Sequence, residues 1–169
     1  MRSVYVVVRS NGAAGAPQPF WFMVANGMTN SCQSAPTRMS LPKWSPQRVV
    51  SAGGDNYFPF IAADRRTGAI EEAWYTHRFD PVFHNRQDVE LVRLSPNGAV
   101  LHRTRVTPIS NETEADPILH GAFIGDYFQI DPNAGRVYVH YNANFRQVPL
   151  VGEGIPIPQQ DNFLAVRSE

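Results

Sequence analysis

The sequence is poor in cysteine and lysine. Cys32 is the single cysteine, which excludes an internal disulfide framework and any zinc site made of several cysteines. We expect Cys32 to be a buried, inert thiol. Lys43 is the one lysine among 15 basic residues. This arginine bias favours forked hydrogen bonds to carboxylates over a loosely solvated cationic surface.

Long apolar runs and an excess of charge are also missing. No apolar run reaches the ~18–20 residues that a transmembrane helix needs, so we expect no membrane span. Arg9 interrupts the apolar run Val4–Val8 near the N-terminus, which argues against a signal peptide in this chain. The 15 basic residues are balanced by 15 acidic ones. Without a net positive charge, nucleic acid is not an expected partner.

What the sequence does contain is an internal repeat. Asp131 follows Asp64 by 67 residues, and Gly135 follows Gly68 by the same distance. Each Asp-x-x-x-Gly segment predicts a hairpin turn, in which the aspartate bonds to turn amides and the glycine takes a positive φ. Strands beginning at glutamine form a second repeated series: Gln18–Val24, Gln87–Arg93 and Gln160–Arg167.

The repeat predicts one complete unit of four short strands and two partial units. The four strands are expected at Phe58–Asp64, Ala69–Arg78, Gln87–Leu94 and Leu101–Thr107, and no helix is required. We predict an all-β fold of β-propeller blades, each of four antiparallel strands, with about two and a half blades in the chain. Residues 1–169 then form a single partial propeller, with units at approximately 1–50, 51–115 and 116–169. Because propellers close with about four to eight blades, the chain is expected to be a segment or to close by association.

Five segments resemble a known family in their order as well as in their residues. They are Phe58–Asp64, Ala73–Tyr75, Gln87–Leu91, Ile124–Tyr127 and Gln160–Arg167. In these segments the chain resembles the sialidase-like propellers that carry bacterial neuraminidase repeats. The similarity covers most of the chain beyond Tyr57 and the preceding residues more faintly. It implies a secreted or extracellular, glycan-directed protein with exo-glycosidase activity of the sialidase type.

The sequence also departs from that family. Sialidases of this superfamily are expected to carry an Arg-Ile-Pro motif, which is absent here, and Ser-x-Asp-x-Gly-x-x-Trp boxes. Ser95–Gly98 is a degenerate box with Asn97 in place of aspartate. The family's clamp of three arginines is drawn from several blades. A partial propeller therefore predicts an incomplete catalytic site in this chain.

Asp126 and Tyr127 are the candidate catalytic residues, because they enter the inner strand of the third unit. A carboxylate beside a phenol suits glycoside chemistry as an acid, a base or an activated nucleophile. The alternative is a buried Tyr127 that packs against the adjacent blade, with Asp126 capping a turn or holding an ion.

Candidate ligand-binding residues lie in two repeated segments. The aromatic-to-arginine order of Trp74–Arg78 recurs in Tyr141–Arg146, and such a mixture stacks on sugar rings and binds acid groups. The alternative is packing between blades, with each arginine paired to an aspartate such as Asp88 or Asp161. The candidates are Trp74, Tyr75, Arg78, Tyr141, Asn142 and Arg146, with His120 at the same rim as Asp126.

No cofactor and no metal ligand is predicted. The five histidines lack metal-ligand spacing, since His77 and His84 are seven residues apart across a predicted loop. Calcium held by loop carboxylates is left open. The alternative function is a non-catalytic propeller that binds a protein or polysaccharide through the loops Phe79–Arg86 and Phe145–Gln159. A homodimer in which two chains complete one ring is a third hypothesis.

Overall fold

The computed structural model describes residues 48–95, 98–117, 127–149 and 154–168, positions 46, 125 and 152, and the backbone of 21–22, 25–26 and 43–44. Most of the predicted unit 1–50 lies outside these residues, as do Asp126 and His120. Within the described part, the protein consists of antiparallel strands and one 3₁₀ turn, Thr113–Ala115. No helix in that part has the length and apolar character needed to cross a membrane.

Twelve strands are described, and we number them in chain order. The strands are β1 Trp21–Phe22, β2 Ala25–Asn26, β3 Lys43–Trp44, β4 Arg48–Val49, β5 Asn56–Ala63, β6 Ile70–Thr76, β7 Arg86–Leu94, β8 Val100–Arg105, β9 Asn111–Glu112, β10 Gln129–Asn133, β11 Arg136–Pro149 and β12 Pro156–Ser168. β1 pairs with β4 and β2 pairs with β3.

The central sheet is an antiparallel meander in the order β5-β6-β7-β8, with β9 paired to β7. The predicted four-stranded unit is confirmed. Two turns join its strands as expected: Gly68 has φ +72° and the Asp64 carboxylate accepts the Arg66 and Thr67 amides. Gly98 likewise has φ +80° and donates its N–H to the Ser95 carbonyl.

The second sheet has the order β10-β11-β12. The turn between β10 and β11 contains Gly135 at φ +79°, as the repeat predicts. The loop predicted over Phe145–Gln159 is wrong for most of its length, because β11 continues to Pro149 and pairs with Pro156 of β12. Among the described residues β12 is the edge strand of this sheet, and an edge strand tolerates prolines that cannot donate to the ladder.

The two sheets share an apolar core. Tyr75, Val89 and Leu91 of the central sheet belong to one buried cluster with Ile130 and Val139 of the second sheet. This cluster follows from the two-residue period of the strands, which places alternate side chains on one face.

The opposite face of the central sheet has its own apolar cluster. It contains Trp74, Val92 and Leu94, and the same strands carry the buried acids Glu72 and Glu90.

The first strands of the two sheets, β5 and β10, are neighbours. Their following turns are also adjacent, since Ala63–Arg66 and Asp131–Ala134 line one cleft. In the described part of the chain the sheets do not close into a ring. The predicted all-β class is confirmed, since all the described strand pairs are antiparallel. The propeller arrangement stays a prediction.

Candidate functional site

A cluster of titratable side chains lies at one end of the central sheet. Asp55 immediately precedes β5, His77 immediately follows β6, and His84 lies in the loop before β7. The antiparallel pairing of Asn56 with Thr76 sets Asp55 beside His77, and the His77 N–H donates to the Asp55 carbonyl at 2.9 Å. We call Asp55, His77 and His84 the Asp55 cluster.

The side chains of the Asp55 cluster converge on one point. Asp55 Oδ2 lies 3.3 Å from His84 Nδ1 and 3.9 Å from His77 Nδ1. The three candidate ligand atoms all lie within 4.8 Å of one another. The His77 side chain is 19% exposed, whereas those of Asp55 and His84 are 40% and 47% exposed. The cluster is therefore partly buried at His77 and open to solvent at Asp55 and His84.

A hydrogen-bond chain fixes the His77 ring. The Tyr57 hydroxyl donates to Gln87 Oε1, and it lies 3.1 Å from His77 Nε2. Because the hydroxyl has one proton, which Gln87 accepts, Tyr57 accepts the Nε2–H of His77. The Nδ1 atom of neutral His77 then carries a lone pair directed toward Asp55. Among the described residues, this buried Nδ1 has no hydrogen-bond partner.

Burial keeps His77 and Tyr57 in their neutral forms. Desolvation lowers the pKa of His77, against the opposing attraction of Asp55. Desolvation also raises the pKa of Tyr57, and the nearby Tyr75 raises it further. Both groups are thus hydrogen-bonding partners in this arrangement and not charges at neutral pH.

The loop beside the cluster is organised by Asp80. Its carboxylate accepts the backbone N–H groups of Phe83, Asn85 and Arg86 at 3.2–3.4 Å. Although desolvation opposes them, these hydrogen bonds lower the pKa of Asp80. His84 has a positive φ of +54° in this loop. The Asp80 side chain therefore holds the backbone of this loop in a defined conformation.

The tip of this loop is apolar and exposed. Val82 and Phe83 are 74% and 77% exposed, and His84 follows directly. An exposed aromatic ring next to an imidazole and a carboxylate is the kind of surface that stacks on a sugar and bonds to its hydroxyls. The predicted binding loop Phe79–Arg86 is therefore present as an exposed surface loop.

The buried acids of the central sheet hold most of its arginines. Glu90 is fully buried and pairs with Arg78 and with Arg103, each at 2.7 Å. Asp88 is also fully buried and pairs with Arg105 at 2.8 Å. Thr107 and Ser110 donate their hydroxyls to the same aspartate. These contacts use the arginines for structure.

Glu72 is buried on the same sheet without such a partner. Neither carboxylate oxygen of Glu72 has a hydrogen-bond partner among the described residues. Desolvation raises the pKa of Glu72 to about 8, although the charge of Arg103 opposes the shift. Glu72 is accordingly protonated near neutral pH.

The predicted ligand-binding residues are mostly inside the protein. Trp74 and Tyr75 are buried on opposite faces of β6. Tyr141 is also buried and stacks on Phe163 with 6.0 Å between ring centroids. Desolvation raises the pKa of Tyr75 to about 12. Their burial matches the alternative of packing between repeated units.

The remaining described candidates lie at several places. Asn142 contacts the Tyr75 hydroxyl through its backbone. Arg78 is paired with Glu90, and Arg146 is paired with Asp161 at 3.0 Å on the surface. The predicted pairing of Arg146 with Asp161 is confirmed, whereas Asp88 pairs with Arg105 instead of Arg78. The structure brings Tyr75, Tyr141 and Asn142 together between the sheets.

Of the two candidate catalytic residues, only Tyr127 is described. Tyr127 is 77% exposed, which differs from the alternative of a buried tyrosine. Asp126 and the neighbouring candidate His120 lie outside the described residues. The catalytic assignment of this pair therefore stays a prediction.

The Asp55 cluster is not predicted from the sequence, where His77 and His84 are set aside for lack of metal-ligand spacing and Asp55 is not considered. The structure brings the three side chains together. The missing signal was the hairpin register, since the end of β6 lies opposite the start of β5. Once Asn56 is paired with Thr76, Asp55 and His77 become neighbours. His84, at the other end of the 78–83 loop from His77, completes the cluster.

Comparisons of the chain with protein-family models, curated proteins and solved structures found no match.

Proposed function

We propose that the chain is a sialidase-like propeller segment of a secreted protein and that it binds a glycan through the loop 80–85 without hydrolysing it. The observation that carries this proposal is the ordered loop that exposes Val82 and Phe83 beside the polar Asp55 cluster. Binding proteins often place an apolar or aromatic contact next to a few fixed polar groups.

The repeat supports the propeller part of the proposal. Tyr75 and Asn142 occupy positions 67 residues apart, and they contact each other directly. The turns at Asp64 and Asp131 have the same spacing and line one cleft. Contact between equivalent positions of consecutive units is the pattern of arrays in which each repeat packs on its neighbour.

The arginine contacts favour binding over sialidase-type hydrolysis. A substrate carboxylate clamp needs guanidinium groups that are free to engage the substrate. Arg78 and Arg103 are instead held by the buried Glu90, and Arg105 is held by Asp88. Releasing any of them would take one charged partner from a buried carboxylate, which is costly.

A panel of immobilised glycans, including sialylated ones, tests the proposal. The whole chain is expected to bind at least one glycan, and Phe83→Ala is expected to weaken that binding about tenfold, because the stacking contact that is lost is worth about 1.4 kcal/mol. Leu101→Ala is the matched control, since Leu101 is an exposed apolar residue on β8, away from the loop. Absence of binding, or equal loss in both variants, would contradict the proposal.

Hydrolysis is the second candidate function, and the exposed hydroxyl-bearing Tyr127 favours it. A fluorogenic sialoside measures it directly. If the chain is an enzyme that uses this phenol, wild type turns the substrate over and Tyr127→Phe does not. Binding without turnover supports the first candidate.

A further inference from the structure

We propose that Asp55, His77 and His84 form a zinc-binding site. Two imidazole nitrogens and one carboxylate oxygen are a usual ligand set for zinc in proteins. The site does not depend on the proposed glycan binding. It adds a metal to a chain for which no cofactor was expected from the sequence.

The distances between the ligand atoms fit this assignment. In a tetrahedral site with zinc–ligand bonds of about 2.0 Å, neighbouring ligand atoms are about 3.3 Å apart. Asp55 Oδ2 and His84 Nδ1 already have this separation, at 3.3 Å. Asp55 Oδ2 and His77 Nδ1 are 3.9 Å apart, and all three ligand atoms lie within 4.8 Å of one another. Zinc binding would therefore require small rotations of the Asp55 carboxylate and of an imidazole to bring the ligand atoms to this spacing.

The surroundings of His77 point to a cation. Its buried Nδ1 lies 3.9 Å from Asp55 Oδ2 and has no hydrogen-bond partner among the described residues, so a metal ion held between these two atoms would give both of them a partner. The Nε2–H donates to Tyr57, which in turn donates to Gln87. A second ring nitrogen bonded to a neighbouring oxygen is the usual outer contact of a metal-bound histidine.

The three ligands leave one coordination position open on the solvent side. Asp80, the nearest further acid in the loop, is occupied by three backbone N–H groups. Asp55 and His84 are both partly exposed. A zinc ion with three protein ligands and one open position would thus carry a water molecule or a ligand oxygen in that fourth position.

Isothermal titration of the untagged, full-length chain with zinc chloride tests the proposal. We expect one zinc per chain. Asp55→Asn and His84→Asn should weaken zinc binding at least about tenfold, while Tyr57→Phe, which removes the outer contact, should weaken it about tenfold. Asparagine at position 84 keeps a residue that tolerates the positive φ. His102→Asn, at an exposed histidine on β8, is the matched control and should bind zinc as wild type does.

Thermal unfolding in the presence of a chelator shows whether each variant is folded. The Asp55→Asn and His84→Asn variants should unfold near the wild-type temperature without metal, and they should gain less stability than wild type and His102→Asn when zinc is added. The proposal is overturned if the wild type binds no zinc. It is equally overturned if His102→Asn weakens binding as much as His84→Asn, because the metal would then be held by scattered surface histidines.

Discussion

The hydroxyl of Tyr75 is bonded twice to the backbone of Asn142, 67 residues further along the chain. It donates to the Asn142 carbonyl at 3.1 Å and accepts the Asn142 N–H at 2.7 Å. The same separation relates the turn aspartates Asp64 and Asp131. A side chain of one unit therefore satisfies the backbone of the equivalent position in the next.

Replacing Tyr75 by Phe should destabilise the protein by about 1–3 kcal/mol, because two partly buried backbone groups of Asn142 lose their partner. The change in the urea midpoint at a constant slope measures this effect. Tyr127→Phe is the control, since the exposed Tyr127 should change stability by less than about 0.5 kcal/mol. Equal midpoints for Tyr75→Phe and wild type would show that the contact between Tyr75 and Asn142 does not stabilise the protein.

Two acid substitutions should separate the buried arginine pairs from the surface pair. Glu90→Gln removes the charge between Arg78 and Arg103 in a fully buried place, and we expect a loss of about 3–5 kcal/mol. Asp161→Asn breaks the exposed pair with Arg146, and we expect a much smaller loss, because solvent screens this pair. Chemical unfolding of both variants measures the difference, and similar losses would argue against the buried role of Arg78.

Glu72 should make stability depend on pH. Its pKa is raised from 4.5 to about 8 in the folded protein, so the folded state binds a proton that the unfolded state has released. Stability should fall as pH rises through this interval, by up to about 1.4 kcal/mol per pH unit, and then level off. Glu72→Gln should flatten this dependence, being more stable than wild type at pH 9 and similar at pH 4.

The neighbouring Glu71 supplies the control for that experiment. Glu71 is paired with Arg93 at 2.6 Å, so Glu71→Gln breaks an existing pair and should not stabilise the protein at high pH. A Glu72→Gln variant with the wild-type dependence of stability on pH would show that Glu72 titrates normally.

Gly54 and Gly53 should differ in their tolerance of alanine. Both have a positive φ, which costs an alanine of the order of 1 kcal/mol or more. A Cβ at Gly54 would also lie 2.7 Å from the Arg78 backbone nitrogen, whereas a Cβ at Gly53 meets nothing within 4 Å. We therefore expect a larger fall in Tm for Gly54→Ala. Equal falls would mean that the 53–55 turn is not packed against the end of β6.

The strands of the central unit could be predicted from the sequence because local signals determine them. Turn residues such as Gly68 and Gly98 mark the strand ends, and apolar alternation marks the strands. The extent of β11 and β12 could not be predicted this way. The prolines at 156 and 158 are typical of a loop. They belong to the sheet only because β12 pairs with β11 at Pro149 and Gln147.

The candidate site was harder to predict, because burial and register decide it. Trp74 and Tyr75 have the residue types of a sugar-binding surface, yet each faces an apolar cluster. Asp55 lies far from His77 in the sequence and meets it only through the β5–β6 register. Neither the burial of these aromatic residues nor the contact between Asp55 and His77 can be inferred from composition or from spacing along the chain.

The proposed function places glycan binding at the loop 80–85. Amide chemical shifts of the full-length chain, recorded while the tightest-binding glycan of the panel is added, test it most directly. We expect shift changes concentrated at residues 80–85 and at Asp55, which lies 3.3 Å from His84. Changes centred on Tyr127 or on β12, with the loop unaffected, would contradict the claim.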